Sequence, residues 1–389
     1  MIERPFSLYI HVPFCSKKCP YCDFNTYATP ALPELEYVEA LCRELSSYRA
    51  DARFIARPIR SIFFGGGTPS LLSPEAIGRI ISYAGELFAL GSDAEVTLEA
   101  NPSQPERARY EGYRLNGVNR ISFGVQSFDA ARLKLLGRDH SAEDASNAVG
   151  MAVAAGISNV SIDIIFGVPE QSIDQLRYDL ACAVALPITH LSTYALTIEQ
   201  GTPFFQRERR GLLHMPPEDD VVEMLRIIPH DLAAAGFKRY EISNYTKHNF
   251  ESVHNSAYWV GQDYLGIGAG AHSYVANYNG EHRVSADRWS TFALPAEYMK
   301  RVAAGSALSW RETLDSKALS FEFFYLGLRR SEGVSKLAFE RYFGEPYAVR
   351  YGELIEQLQE GGFIQEEGDA IALTDKGIAL SDSIFERFV

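Results

Sequence analysis

Three cysteines fall within eight residues, in Cys15-Ser16-Lys17-Lys18-Cys19-Pro20-Tyr21-Cys22. The C-x-x-x-C-x-x-C spacing makes a tight loop whose thiolates can converge on one iron–sulfur cubane while satisfying only three of its irons. Clusters that only carry electrons normally take four cysteines, so a missing fourth ligand reserves one iron for something other than protein. The competing chemistry is a structural Cys3His zinc site that recruits His11. Closed zinc sites usually pair their ligands two by two, and no second C-x-x-C follows. Five cysteines in all, an odd number with three clustered, make a poor disulfide framework and imply reducing surroundings. Cys42 and Cys182 sit singly in helical patterns and read as small buried hydrophobes.

Further polar residues stand at the ends of apolar runs of strand length. Gly65-Gly66-Gly67-Thr68-Pro69 follows one such run, and glycines let backbone amides and carbonyls come close to a ligand. Glu99 can accept a hydrogen bond from a hydroxyl or an ammonium. Gln126 ends Gly124-Val125-Gln126, and Arg138 follows in Leu136-Gly137-Arg138-Asp139-His140. Asp163 lies inside an apolar run, where a charge needs a partner. Each alone is equally well explained by structural pairing; four polar residues in step with successive strand ends are harder to dismiss. In His254-Asn255-Ser256-Ala257-Tyr258-Trp259 a helix would put His254 and Tyr258 on one face. A glycine-rich turn, Gly266-Ile267-Gly268-Ala269-Gly270-Ala271-His272, then offers a second imidazole.

The elements that must hold these residues are legible as six β-rich runs, beginning at Ser7, Ser61, Glu95, Arg120, Val160 and Leu191. Helical patterns near 33–50, 74–90, 105–116, 143–155 and 173–185 separate them, the second opened by Ser73-Pro74-Glu75. Repeated βα units make an α/β fold, either an open sheet or a partial barrel. Barrels collect their chemistry at the C-terminal ends of the strands, where these polar residues fall. Near residue 280 the pattern changes, which predicts a main domain over 1–280 and a smaller α+β domain over 281–389. There, helix-like segments precede Gly362–Glu366 and Ala370–Leu373, two strands around Glu367-Gly368-Asp369, so a hairpin and a winged-helix-like module are expected. That module is more acidic than basic, and the whole chain carries a formal charge of −13, which excludes a protein that lives by gripping nucleic-acid backbone. No secretory leader and no run long enough to span a bilayer is seen, so a cytoplasmic protein is expected, with peripheral membrane association left open. Monomer and homodimer fit equally.

The cysteine spacing in the loop after the first strand resembles the radical S-adenosylmethionine superfamily. This resemblance implies a partial (β/α)6 barrel, a [4Fe-4S] cluster on Cys15, Cys19 and Cys22, and S-adenosylmethionine chelated to the open iron, where an electron from the cluster cleaves the sulfonium. More narrowly the chain is similar to the HemN/HemW group, from Tyr9-Ile10-His11-Val12-Pro13-Phe14-Cys15 through Gly124-Val125-Gln126-Ser127-Phe128 and Asp163-Ile164-Ile165-Phe166-Gly167-Val168-Pro169 to the C-terminal module. The similarity implies that Tyr9, Gly66, Gly67, Thr68, Glu99, Gln126, Arg138 and Asp163 line the S-adenosylmethionine pocket. HemN-type enzymes decarboxylate coproporphyrinogen III and carry another cysteine two positions past the third ligand, behind a long N-terminal arm. Here that position is Phe24, and eight residues precede Tyr9. Asp23-Phe24-Asn25-Thr26-Tyr27 is the HemW-like continuation, which implies a protein that binds heme and delivers it to apo-haemoproteins, with turnover of S-adenosylmethionine left undecided. His254-Asn255-Ser256-Ala257-Tyr258-Trp259 resembles the H-N-x-x-Y-W motif associated with heme in that branch, making His254 the candidate iron ligand and His272 the second. A coproporphyrinogen III oxidase and a radical methyltransferase of the same architecture stand as alternatives.

Overall fold

In a computed structural model of the chain, residues 4–103 and 109–388 are described. Six strands lie side by side in chain order: β1 (Phe6–Val12), β2 (Ile59–Gly66), β3 (Leu90–Ala100), β4 (Arg120–Gln126), β5 (Asn159–Phe166) and β6 (His190–Ala195). Every neighbouring pair among them is parallel. Each crossover contains a helix: α1 (Glu34–Ser47), α2 (Pro74–Leu87), α3 (Tyr110–Leu115), α4 (Ala142–Ala154) and α5 (Ile173–Val184). Their starts are set locally. Ser73 accepts from the Ala76 N–H ahead of Pro74, and Ser141 and Ser172 form capping boxes with Asp144 and Gln175. The expected helix over 105–116 is found as α3, and 105–108 lie outside the described residues. Side chains such as Leu8, Ile10, Phe64, Leu98, Ile121, Phe123 and Ile164 are fully buried between sheet and helices, which is why these strands read as continuous apolar runs.

The sheet extends beyond the six strands on both sides. After β7 (Lys238–Arg239) and β8 (Asn244–Thr246), of which β8 adds antiparallel to β6 and β7 antiparallel to β8, the chain forms α6 (Val253–Trp259) and crosses to β9 (Tyr264–Ile267), parallel to β1. A meander of β10 (His272–Asn279), β11 (His282–Thr291) and β12 (Leu308–Asp315) completes twelve strands. Residue 280, the expected division, falls in the turn between β10 and β11, and strand pairing runs on to Asp315. A second hydrophobic cluster then forms around Phe324, Leu328, Phe339, Ile355, Leu358 and Ile371. It joins α7 (Ser316–Gly327), β13 (Val334–Ser335), α8 (Lys336–Phe343), α9 (Ala348–Glu360), β14 (Ile364–Glu367) and β15 (Ala370–Leu373). β14 and β15 form the expected hairpin, turning at Gly368 with φ 57°, and β13 pairs with β15 to complete the wing. Among the described residues no helix is long and apolar enough to cross a membrane.

Candidate functional site

The three cysteines occupy the loop that leaves β1. Cys15 ends a short strand, Phe14–Cys15, that pairs with Tyr27–Ala28 and so returns the loop to its start. Above the C-terminal ends of β2 to β6 lies a cavity of about 420 Å3. Cys15, Cys19, Cys22, Gly66, Gly67, Thr68, Glu99, Gln126, Arg138 and Asp163 all line it. Ten of the thirteen site residues read from the sequence, all but Tyr9, His254 and His272, therefore line one cavity wall. Tyr9 stands behind that wall, and His254 lies elsewhere.

Each of the three sulfurs has a polar side chain within reach. Thr68 Oγ1 donates to Cys15 at 3.6 Å, Arg138 Nη1 to Cys19 at 3.5 Å, and Thr26 Oγ1 lies 3.9 Å from Cys22. The first two are linked: Asn101 Nδ2 donates to Thr68 Oγ1 at 3.2 Å while its carbonyl accepts from Arg138 Nη2. Arg138 is also held by the Gly124 carbonyl at 2.6 Å. Donors aimed at ligand sulfurs withdraw electron density from a cluster and favour its reduced state. Asn101 and Thr26 escaped the sequence reading, because a neutral polar side chain in a loop carries no spacing signature.

His11 is committed elsewhere. Its Nε2 donates to the Asn25 carbonyl at 2.9 Å, so Nδ1 is left to accept from the Tyr9 hydroxyl at 3.0 Å. Burial lowers its pKa and keeps the ring neutral. Both nitrogens being occupied, His11 does not complete a Cys3His zinc site, and among the described residues no three His, Cys, Asp or Glu side chains meet closely enough to share one ion. Three thiols at the corners of a loop suit a cubane better than a tetrahedral ion.

The glycine run approaches the chain itself more closely than expected. Gly66 has φ 113°, and a Cβ there would sit 2.5 Å from the His11 ring; one on Gly67 would sit 2.5 Å from the Phe14 carbonyl. Gly67 and Thr68 donate to the Val12 and Phe14 carbonyls, both at 2.8 Å, clipping this loop to the cysteine loop. Gln126 closes β4 in the left-handed region, φ 71°, where a non-glycine residue is held only by its surroundings.

Two carboxyls face the cavity away from bulk water. Glu99 Oε2 accepts from the Gly66 N–H at 3.1 Å, and Asp163 Oδ1 accepts from Ser122 Oγ at 3.3 Å. Burial and then the neighbouring Asp163 push Glu99 up to about 7, against the pull of Gly66 and Arg120. Burial pushes Asp163 up to about 6, opposed by Ser192, Arg120 and Ser122. With ordinary values of 4.5 and 3.8, the unfolded chain loses these protons first, so it binds fewer protons than the folded chain as pH rises from about 4 to 7. Stability is therefore expected to fall by a few kcal/mol across that window, and Glu99→Gln to flatten the slope. Urea unfolding between pH 4.5 and 7.5 checks this; equal slopes in both proteins would contradict it.

His254 does not reach the cavity. It is 1% exposed, packed with its ring centroid 4.9 Å from Phe63. Ser61 Oγ, itself donating to Ser7, accepts from Nδ1 at 2.9 Å, and the Tyr258 hydroxyl meets Nε2 at 3.0 Å. Burial and then Arg120 lower its pKa to about 3. The shared face expected of His254 and Tyr258 exists, but it points into the protein and leaves no lone pair for iron. Glu95 of β3 sets that orientation by accepting from the Val253 and His254 N–H groups, both at 3.0 Å, at the start of α6. His272, by contrast, is exposed at the start of β10.

Comparison with known proteins bears on this geometry. The Radical SAM superfamily pattern matches residues 9–181, and the HemN C-terminal domain matches 314–380. The heme chaperone HemW of Lactococcus lactis is 35% identical over 389 residues, covering 100% of this chain and 98% of that protein. The chain belongs to the HemW family. Heme chaperone HemW of Escherichia coli is 37% identical across 99% of this chain and 98% of its own length. A relative from Danio rerio, radical S-adenosyl methionine domain-containing protein 1, mitochondrial, is 35% identical over 97% of this chain and 85% of its own. In three dimensions, coproporphyrinogen III oxidase HemN from Escherichia coli superposes with a TM-score of 0.83 over 99% of this chain and 90% of that one, at 24% identity. That likeness shows the α/β radical SAM fold with its HemN-type C-terminal domain.

Proposed function

We propose that this chain is a heme chaperone: it binds heme and passes it to apo-haemoproteins, in a reducing cytoplasm suited to its five unpaired cysteines. The observation that carries this reading is the end-to-end similarity to HemW chaperones from distant bacteria. Phe24 supports it, standing 65% exposed on the cavity rim at the position where HemN-type enzymes carry a further cysteine.

Within this reading Cys15, Cys19 and Cys22 hold a [4Fe-4S] cluster, and the cavity beside them takes S-adenosylmethionine. The cluster supplies a reducing electron to the sulfonium compound. The protein binds and orients. Glu99 and Asp163 offer two recessed carboxyls to a cationic ligand, whose charge draws both back towards their ordinary values and releases protons. Arg138, with a guanidinium beside Cys19, suits a carboxylate. Gly66 and Gly67 keep the wall thin, Thr68 orients Cys15, and Gln126 reaches the cavity from the end of β4. Tyr9 acts from behind, fixing His11 and through it the cysteine loop. Ile165, Leu196 and Ala100 supply the apolar lining that excludes water.

Anaerobically reconstituted protein titrated with hemin, then mixed with an apo-haemoprotein, tests the reading. Near-stoichiometric binding followed by transfer is expected. Conversion of coproporphyrinogen III to protoporphyrinogen IX, with no heme retained, would assign the oxidase activity instead.

A further inference from the structure

We propose that His272 is the protein's ligand to heme iron, and that the porphyrin lies against the exposed Trp310 ring beside the loop that carries Cys22. The proposal rests on the heme-chaperone reading and deepens it by naming the site. An imidazole can bind iron only if one ring nitrogen is free and solvent can be displaced from it. Buried His254 and His190 fail both conditions, and His11 spends both nitrogens on Tyr9 and Asn25. His272 is exposed and, among the described residues, its ring makes no hydrogen bond.

Its surroundings suit a flat apolar ligand. His272 lies opposite Ser290 on β11, and Ser290 opposite Trp310 on β12, so the three side chains share one face of the sheet. The His272 and Trp310 rings stand 6.5 Å apart at 60°. Trp310 is 43% exposed on the edge strand of the sheet. An indole ring can stack on a porphyrin while the iron takes the imidazole.

The turn bearing His272 is fixed. The Gly268 N–H donates to buried Glu44 and the Ala269 N–H to the Tyr37 hydroxyl, both at 2.9 Å, while Thr291 Oγ1 accepts from the Gly270 and Ala271 N–H groups at 2.9 and 3.0 Å. Asn25, three residues after Cys22, donates its amide to the Ala269 and Ala293 carbonyls at 2.8 and 3.0 Å. The cysteine loop and the His272 turn are therefore stapled together.

Hemin titration of reconstituted protein, followed by absorbance and by electron paramagnetic resonance of the ferric heme, tests this. His272→Gly is expected to weaken heme binding at least tenfold while keeping the iron–sulfur signal, and added imidazole to restore the histidine-ligated spectrum. Trp310→Ala should weaken binding without changing the ligation signature. If wild type binds hemin and His272→Gly binds it equally with the same spectrum, the site is wrong, and if that variant loses only transfer, the patch docks the acceptor protein instead. Failure of the wild type to bind hemin overturns the chaperone reading itself.

Discussion

Replacing Cys19 by Ala is expected to strip the chain of iron and leave its fold standing. Two thiolates cannot hold a cubane that already leaves one iron to another ligand. The loop itself adds little to the core: all three cysteines are only partly buried, and the hydrophobic cluster is built from the strands and helices behind them. Arg138, deprived of the Cys19 sulfur, keeps the Gly124 carbonyl and the Asn101 side chain, so no buried charge is stranded. Iron content should fall from about four per chain to near zero, together with the charge-transfer absorbance, while the unfolding free energy stays within about 0.5 kcal/mol of that of the cluster-free wild type. Metal analysis and denaturation of the anaerobically prepared variant check both halves. Retention of iron would mean that other residues hold the cluster; bound zinc in the wild type would overturn the site altogether.

The second large effect is expected far from solvent. Arg120 of β4 is 2% exposed, with its Nε 4.0 Å from Glu95 Oε2 and Nη1 3.5 Å from Thr97 Oγ1. Its charge also opposes the upward push on Glu99 and Asp163 and helps keep His190 and His254 neutral. Arg120→Leu would leave an acidic interior without its cation. Removing one member of a buried charged set typically costs about 3–5 kcal/mol, because the partners remain desolvated. Denaturant unfolding at pH 7 should show that loss, with part of it recovered at pH 5, where Glu99 and Asp163 can stay protonated. A loss below about 1 kcal/mol would show that Arg120 contributes no net stabilisation.

Much of this architecture was readable beforehand, and the exceptions have physical causes. β1 to β6 are flanked by helices and buried on both faces, so their sequences are unbroken apolar runs bounded by turns and caps, and their limits were found to within a few residues apart from the longer start of β3. β10 to β12 were not recognised. Ser273, Asn277, Arg283, Asp287, Arg288, Arg311 and Glu312 interrupt them, as expected of an antiparallel meander with one face near water. The change of pattern near 280 marks this meander, which continues the same sheet.

The site follows the same division. Cys15, Glu99, Gln126 and Asp163 were legible because a polar residue at the end of a buried strand has few ordinary explanations. His254 was legible as a residue of note but not as to its role. The spacing of His254 and Tyr258 specifies a common face, whereas the direction of that face is decided by Ser61 and Glu95, which are distant in sequence. Non-local packing of this kind leaves no trace in a local pattern.

Reduction of the reconstituted cluster in the presence and absence of S-adenosylmethionine, followed by electron paramagnetic resonance, interrogates the exposed iron most directly. A three-cysteine cubane should change its spectrum when the cofactor's amino and carboxyl groups reach that iron, and isotopic labelling of those groups should broaden or split the signal. An identical spectrum with and without the cofactor would contradict the account, because it would mean that a fourth side chain already closes the cluster.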